Sequence, residues 1–147
     1  MSLESDVQRM AESAPFRLLP REGLRLIAFY SETRRLKAGD ALFKAGDGAD
    51  AAFLVLDGEI LLAANGAERR AGPGAVIGEM ALLADLKRRA SAQASVETTL
   101  LKIPRAAFRR VLREFPEAAD KLRSRLAKRT QALLQSLEEL RVRRFAP

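Results

Sequence analysis

The 147-residue sequence contains neither cysteine nor histidine. Without cysteine there are no disulfides, thiolate metal sites or thiol nucleophiles, and the chain suits a reducing compartment. Without histidine, the commonest metal ligand and the commonest general base near neutral pH are both missing. A Ser-His-Asp triad cannot be assembled, and neither can a histidine-based zinc site. Carboxylate and lysine chemistry remain, but the expectation is a protein that binds without catalysing, and that holds no metal. No apolar run approaches the roughly 20 residues that cross a bilayer. The charged start, Met1 to Met10, lacks the apolar middle of a signal peptide. No membrane span and a cytoplasmic setting are therefore expected.

What is present fits one domain of ordinary size over residues 1–147. The sequence is 48% hydrophobic, enough for a packed core and unlike a disordered chain. The net charge of +7 is unevenly placed. From Lys102 to the end there are 13 Lys and Arg against 5 Asp and Glu, leaving 13 and 14 of the totals of 26 and 19 for the earlier residues. The basicity therefore belongs to the C-terminal third.

Leu3 to about Ala14 is rich in helix formers and is interrupted by Pro15. A second helical pattern follows Pro20, with Leu24, Ile27, Ala28 and Ser31 on one face. From about Arg34 the texture changes to short apolar runs between turns: Lys37 to Asp40, Ala45 to Gly48, Leu56 to Glu59, Asn65-Gly66 and Gly72 to Gly74. Turn signals every ten or so residues predict short antiparallel strands in a sandwich or barrel. Phe53 to Leu56 is a buried-strand run, and Ser91 to Ile103 supplies further strands. After Pro104 the helical period returns with Ala107, Phe108, Val111 and Leu112, ending near Phe115-Pro116. A long helix is predicted from about Glu117 to Arg143. Ala119, Leu122, Leu126, Thr130, Leu133, Leu137 and Leu140 recur along it at steps of three and four, close to a coiled-coil seam.

The chemistry concentrates between Val76 and Ala92. Gly78 permits a backbone conformation that other residues resist. Glu79 to Leu82 has the length of one short helical turn, whose leading N–H groups attract an anion. Arg88 follows across a short loop and can offer a bidentate guanidinium to the same anion. Glu79 would then be a carboxylate beside a cationic site, suited to accept hydrogen bonds from hydroxyls. Amides and an arginine for a phosphate, with a carboxylate for a sugar, describe a nucleotide-shaped pocket.

This segment resembles the phosphate-binding cassette of the cyclic-nucleotide-binding domain family, which includes the catabolite activator proteins, regulatory subunits of cAMP-dependent kinase and certain ion channels. The family pattern, Gly-Glu-apolar-Ala-Leu, a loop, then Arg-x-Ala-Ser/Thr, is matched by Gly78, Glu79, Met80, Ala81 and Leu82, and by Arg88, Ala90 and Ser91. Lys37 to Phe43, Ala45 to Asp47 and Phe53 to Glu59 resemble the family's early strands, and Phe16 to Leu36 and Pro104 to Leu140 its flanking helices. The resemblance implies a mainly β fold with flanking helices: a double-stranded β-helix (a jelly-roll-like β-roll) over 34–104, N-terminal helices over 1–33 and C-terminal helices, one of them long, over 105–144. It also implies a cyclic nucleotide as ligand, with Arg88 on the cyclic phosphate, Glu79 on the ribose 2′-hydroxyl and the backbone of Gly78, Met80 and Ala81 cradling the phosphate. Arg89 and Ser91 are candidate base or phosphate contacts. Two departures stand out: Lys87 occupies a place often held by proline, and Arg89 one usually held by a small residue. The cGMP-selective members use a threonine there, so cAMP is expected ahead of cGMP.

The leucine seam implies a homodimer through the long helix, a lid over the ligand, or a helix packed on its own roll, with the dimer preferred. The arginines around Arg141 to Arg144 read as a solvated basic face, because no aromatic residues interleave to stack on bases. No helix-turn-helix follows, so no sequence-specific DNA binding by this chain alone is expected, and the downstream partner is a protein the sequence does not name. The expected function is a cyclic-nucleotide sensor signalling through its C-terminal helices. The alternatives are a dimerisation module of the same fold without ligand, the effector-binding fragment of a transcription regulator, and a cupin-like enzyme, the weakest because its site would need histidine.

Overall fold

The computed structural model describes residues 2–125 together with 127, 128, 131 and 135. Helix α1 (Leu3–Ala11) opens with a capping box in which Ser2 and Ser5 exchange side-chain-to-backbone hydrogen bonds. A 3-10 turn (Phe16–Leu18) leads to α2 (Arg21–Tyr30), which starts directly after Pro20. Ten strands follow: β1 (Glu32–Leu36), β2 (Ala41–Phe43), β3 (Gly48–Ala49), β4 (Ala51–Asp57), β5 (Ile60–Ala64), β6 (Ala67–Ala71), β7 (Val76–Ile77), β8 (Leu86–Lys87), β9 (Ser91–Ala94) and β10 (Thr98–Pro104). A second 3-10 turn (Glu79–Leu82) lies between β7 and β8, and α3 (Arg105–Glu114) follows β10. After a break at Phe115 the chain is helical again over 116–125.

Two four-stranded antiparallel sheets, ordered β1-β10-β4-β7 and β2-β9-β5-β6, form the roll, and β3 pairs with β8 as a small ribbon. Strand β4 explains why two cores exist. Ala51 to Leu56 are all buried, so the strand needs cover on both faces. Phe53 and Val55 point into the roll and meet Ile60, Ile77, Ala92, Ala94 and Leu100. Ala52, Leu54 and Leu56 point outward and meet a core built with Met10, Phe16, Ile27, Phe108, Val111 and Leu122. The expected β-roll with flanking helices is the observed architecture.

The long-helix seam is realised differently at its start. Leu122 belongs to the helix-side core, and Ala119 is 2% exposed. Near-heptad spacing does not specify what covers a stripe, and here the chain's own helices cover its first members. Leu126, Thr130, Leu133, Leu137 and Leu140 lie outside the described residues.

The turn between β4 and β5 depends on Gly58. Its φ is +93°, and a Cβ there would press on the Thr98 hydroxyl oxygen and sit 2.7 Å from Thr98 Cα. Thr98 is itself buried and donates to the Val96 carbonyl at 2.8 Å while accepting from the Glu59 amide at 3.0 Å. Gly58→Ala should therefore destabilise the fold by about 3 kcal/mol, combining the left-handed backbone cost with overpacking. That loss would appear as a fall of roughly 10 °C in melting temperature; a fall under about 3 °C would contradict this account. Beside this turn, the Glu59 carboxylate accepts from Ser95 Oγ at 2.7 Å and Arg70 Nη1 at 3.0 Å. The Ser95 bond, and then Arg70, hold its pKa below the ordinary carboxylate value. The depressed folded-state value adds stability that is fully present above about pH 4.3 and is lost as pH falls through the folded value. In thermal melts, Ser95→Ala should therefore lower the melting temperature at pH 7 and have a smaller effect at pH 3.

Candidate functional site

Gly78 caps the second 3-10 turn with φ +74°. A Cβ at this position would run into Nη1 of Arg88, so glycine is required both for the backbone and for the approach of the arginine. The two ends of the motif, ten residues apart in sequence, thus meet in space. Arg88 is fixed from both sides of its backbone. Its N–H donates to the Asp47 carbonyl at 2.7 Å, and its carbonyl accepts from the Gly46 amide at 2.8 Å. The preceding residues pair with β3, Lys87 opposite Gly48 and Leu86 opposite Ala49.

The guanidinium of Arg88 lies against β4 and the aromatic rings of Phe43 and Phe53. Nη2 donates to the Ala51 carbonyl at 2.7 Å. The guanidinium carbon is 4.3 Å from the Phe43 ring centroid and 5.5 Å from that of Phe53, with the two rings 6.1 Å apart. This is a cation–π platform. Nε is buried with no hydrogen-bond partner, and among the described residues Arg88 forms no ion pair. Burial pulls its pKa below the ordinary value, opposed by the charges of Asp50 and Asp47. A guanidinium remains protonated at pH 7 regardless, so a fixed positive charge with one unused buried donor faces the Gly78 turn.

The other predicted site residues lie on the 3-10 turn and beside Arg88 along the chain. Glu79 is half-buried at the first position of the turn, Met80 is exposed and Ala81 is buried. The Ala81 amide donates to the Gly78 carbonyl at 3.1 Å and is engaged within the turn. Ser91 accepts from the Ala45 amide at 3.0 Å, which makes it a strut for the neighbouring turn. Lys87 and Arg89 are exposed.

Sequence reasoning missed the aromatic platform, the Ala51 carbonyl and two arginines of α3. Arg105 Nη1 reaches the carbonyls of Ala49, Ala81 and Ala84, and Arg109 Nη2 that of Leu83. One signal was available: the tetrapeptide Lys-Ala-Gly-Asp occurs at 37–40 and again at 44–47. In both copies the aspartate carboxylate accepts from the lysine amide, at 2.8 and 2.9 Å. The second copy is the turn that holds Arg88. A cleft of about 480 Å³ lies elsewhere, between Leu18–Pro20 and Glu114–Ala118, and shares no wall with the cassette. Among the described residues no three or more acidic side chains gather where they could hold a metal ion, and no helix is long and apolar enough to cross a membrane.

The family profile described as Cyclic nucleotide-binding domain matches residues 33–115. The chain belongs to the cyclic nucleotide-binding domain family. It is similar to the Cyclic AMP receptor protein of Thermus thermophilus, 34% identical over 145 residues that cover 91% of this chain and 67% of that protein. It is 32% identical over 123 residues to Lysophospholipase NTE1 of Chaetomium globosum, covering 80% of this chain but 8% of the fungal protein's length. A solved cyclic nucleotide-binding-like protein from Brucella abortus superposes with a TM-score of 0.66 at 38% identity, covering 74% of this chain and 98% of that one. The matched region includes the whole segment from Gly78 to Ser91.

A partly desolvated charge with an orphaned donor costs stability in the unliganded fold. Replacing it by an apolar residue of similar length removes that cost and keeps the contact with Phe43. Arg88→Met should therefore melt at or above the native temperature in the absence of ligand. A fall of more than about 3 °C, roughly 1 kcal/mol, would instead make Arg88 a structural residue.

Proposed function

We propose that this chain is a regulatory module that binds a cyclic nucleotide, with Arg88 on the cyclic phosphate. The observation that carries the reading is the buried, unpartnered Nε of Arg88 beside Gly78. A cyclic phosphate would satisfy that donor and bring a negative charge to a guanidinium whose own chain supplies one carbonyl. Glu79 would accept from the ribose 2′-hydroxyl, and the backbone at Gly78, Met80 and Ala81 would border the phosphate. Lys87 and Arg89 are exposed, which is compatible with their side chains turning to solvent when the ligand binds. Among ligands, cAMP is favoured over cGMP, because Arg89 stands where the cGMP-selective members carry threonine.

Occupancy would be transmitted as a population shift, with the ligand favouring one docking of the C-terminal helix over another. The helix-side core supports this, since Leu82 of the turn and Leu122 of the C-terminal helix are members of the same cluster. A homodimer would use the part of the leucine stripe that follows Leu122. Residues 1–147 would act as one unit in a cytoplasmic setting. The Thermus relative, a cyclic AMP receptor protein, favours cAMP as the first ligand to test.

Calorimetric titration of the full chain with cAMP and with cGMP tests the reading. Micromolar or tighter binding is expected, weakened at least about 30-fold by Arg88→Ala, since removing one partner of a buried charged contact costs 2 kcal/mol or more. If neither nucleotide binds up to millimolar concentration, the sensor reading fails and the chain is a dimerisation module of the same fold.

A further inference from the structure

Two arginines share one short stretch of main chain. At the junction of β3 and β4, the Ala51 carbonyl accepts from Arg88 Nη2 at 2.7 Å. The adjacent Asp50 carbonyl accepts from the Arg105 amide at 2.8 Å. The Ala49 carbonyl accepts from Arg105 Nη1 at 3.1 Å. The same Nη1 reaches back to the 3-10 turn and the loop after it, to Ala84 O at 2.7 Å and Ala81 O at 3.3 Å. Its nearest carboxylate, Asp85, is 3.9 Å away and 93% exposed, while the Arg105 side chain is 18% exposed. Main-chain oxygens, more than an ion pair, therefore hold this charge.

The geometry has a consequence for the amides. A carbonyl and the next N–H lie in one rigid plane and point in opposite directions. Fixing the Ala81 and Ala84 carbonyls fixes the Leu82 and Asp85 N–H groups on the opposite side. Arg109 treats Leu83 in the same way, through Nη2 at 3.1 Å. Lysine cannot reproduce this arrangement, because its ammonium is a point donor and Arg105 supplies a planar fork.

We propose that Arg105 is the positioning residue of the anion site. It sets the peptide planes that follow Ala81 and Ala84 and, through the adjacent carbonyls of residues 49–51, ties Arg88 to the first turn of α3. The first half of this inference is independent of the ligand, and the second rests on the proposed binding of a cyclic nucleotide.

Hydrogen exchange of the unliganded full chain tests the first half. Arg105→Lys and Arg105→Gln should each speed exchange of the amides of residues 78–85 by at least about tenfold, with β5 and β6 unchanged. Arg105→Lys keeps the charge and the stem, and it carries the test even where the glutamine variant is too unstable to examine. Unchanged rates over 78–85, or a uniform rise along the chain, would overturn the proposal. Titration with cAMP tests the second half. Arg105→Lys should weaken binding about tenfold in the native background and less than about twofold in Arg88→Lys, because the two substitutions act on one arrangement. Equal losses in both backgrounds would overturn the coupling. If the native chain takes up neither cAMP nor cGMP, the ligand reading and with it the coupling are wrong, and the exchange rates alone decide the positioning.

Discussion

Six consecutive buried residues, Ala51 to Leu56, make β4 a strand that must be covered on both faces. The rest of the molecule is arranged around that requirement. Each fully buried Leu, Val or Phe contributes roughly 1.5–3 kcal/mol, so an open face would be costly. The second sheet covers the side of Phe53 and Val55, and the N- and C-terminal helices cover the side of Leu54 and Leu56. The register of β10, Pro104 opposite Ala51 and Lys102 opposite Phe53, brings the start of α3 to the start of β4. That end of β4 is also where the Ala51 carbonyl meets Arg88. Arg88 is thus fastened to the most constrained strand of the fold, and α3 begins beside it for the same reason.

Arg88 and Arg105 make an instructive contrast. Both are guanidinium groups held largely out of water and bound to carbonyl oxygens; among the described residues Arg88 forms no ion pair, and Arg105 has one at 3.9 Å to the exposed Asp85. Arg105 has three carbonyls on one nitrogen, and its environment accounts for it. Arg88 has one carbonyl, an aromatic platform and a buried Nε with no partner. Satisfied buried polar groups are the rule in folded proteins, and on the proposed reading this leftover donor is the one that the cyclic phosphate would meet. The absence of histidine narrows what that can be. The charge at Arg88 does not titrate near neutrality, which suits constant recognition of an anion and does not suit proton transfer.

Much of this was legible in the sequence, for identifiable reasons. Gly78 to Leu82 announces a turn because glycine at a positive φ followed by a short apolar stretch has few other solutions. The buried run at Phe53 and the Gly-Asp turns announce the roll. Residue types carried those signals. The Arg105 contacts carry none, because their acceptors are carbonyls of three alanines, and every residue has a carbonyl. The platform was hidden by distance, with Phe43 45 residues before Arg88 and Phe53 35 before it. The start of the leucine stripe was legible as apolar but not as to its cover. Spacing told that Ala119 and Leu122 are buried, and only the fold tells that Leu122 belongs to one core with residues of α1, α2 and α3.

That shared burial bears on how such a module could respond to a ligand. Leu82 is fully buried in a cluster that also holds Phe108 and Val111 of α3 and Leu122 beyond it. Close-packed interiors do not deform smoothly; a displaced side chain forces its neighbours into another packing or back again. The 3-10 turn cannot shift to follow an anion without disturbing Leu82, and Leu82 cannot shift without disturbing the seat of both C-terminal helices. Arg105 and Arg109 add polar ties between the same elements. On the proposed reading, the C-terminal helix needs no contact with the nucleotide to sense it. A change of a few tenths of an ångström at the turn is enough, provided that the core offers two packings of similar free energy.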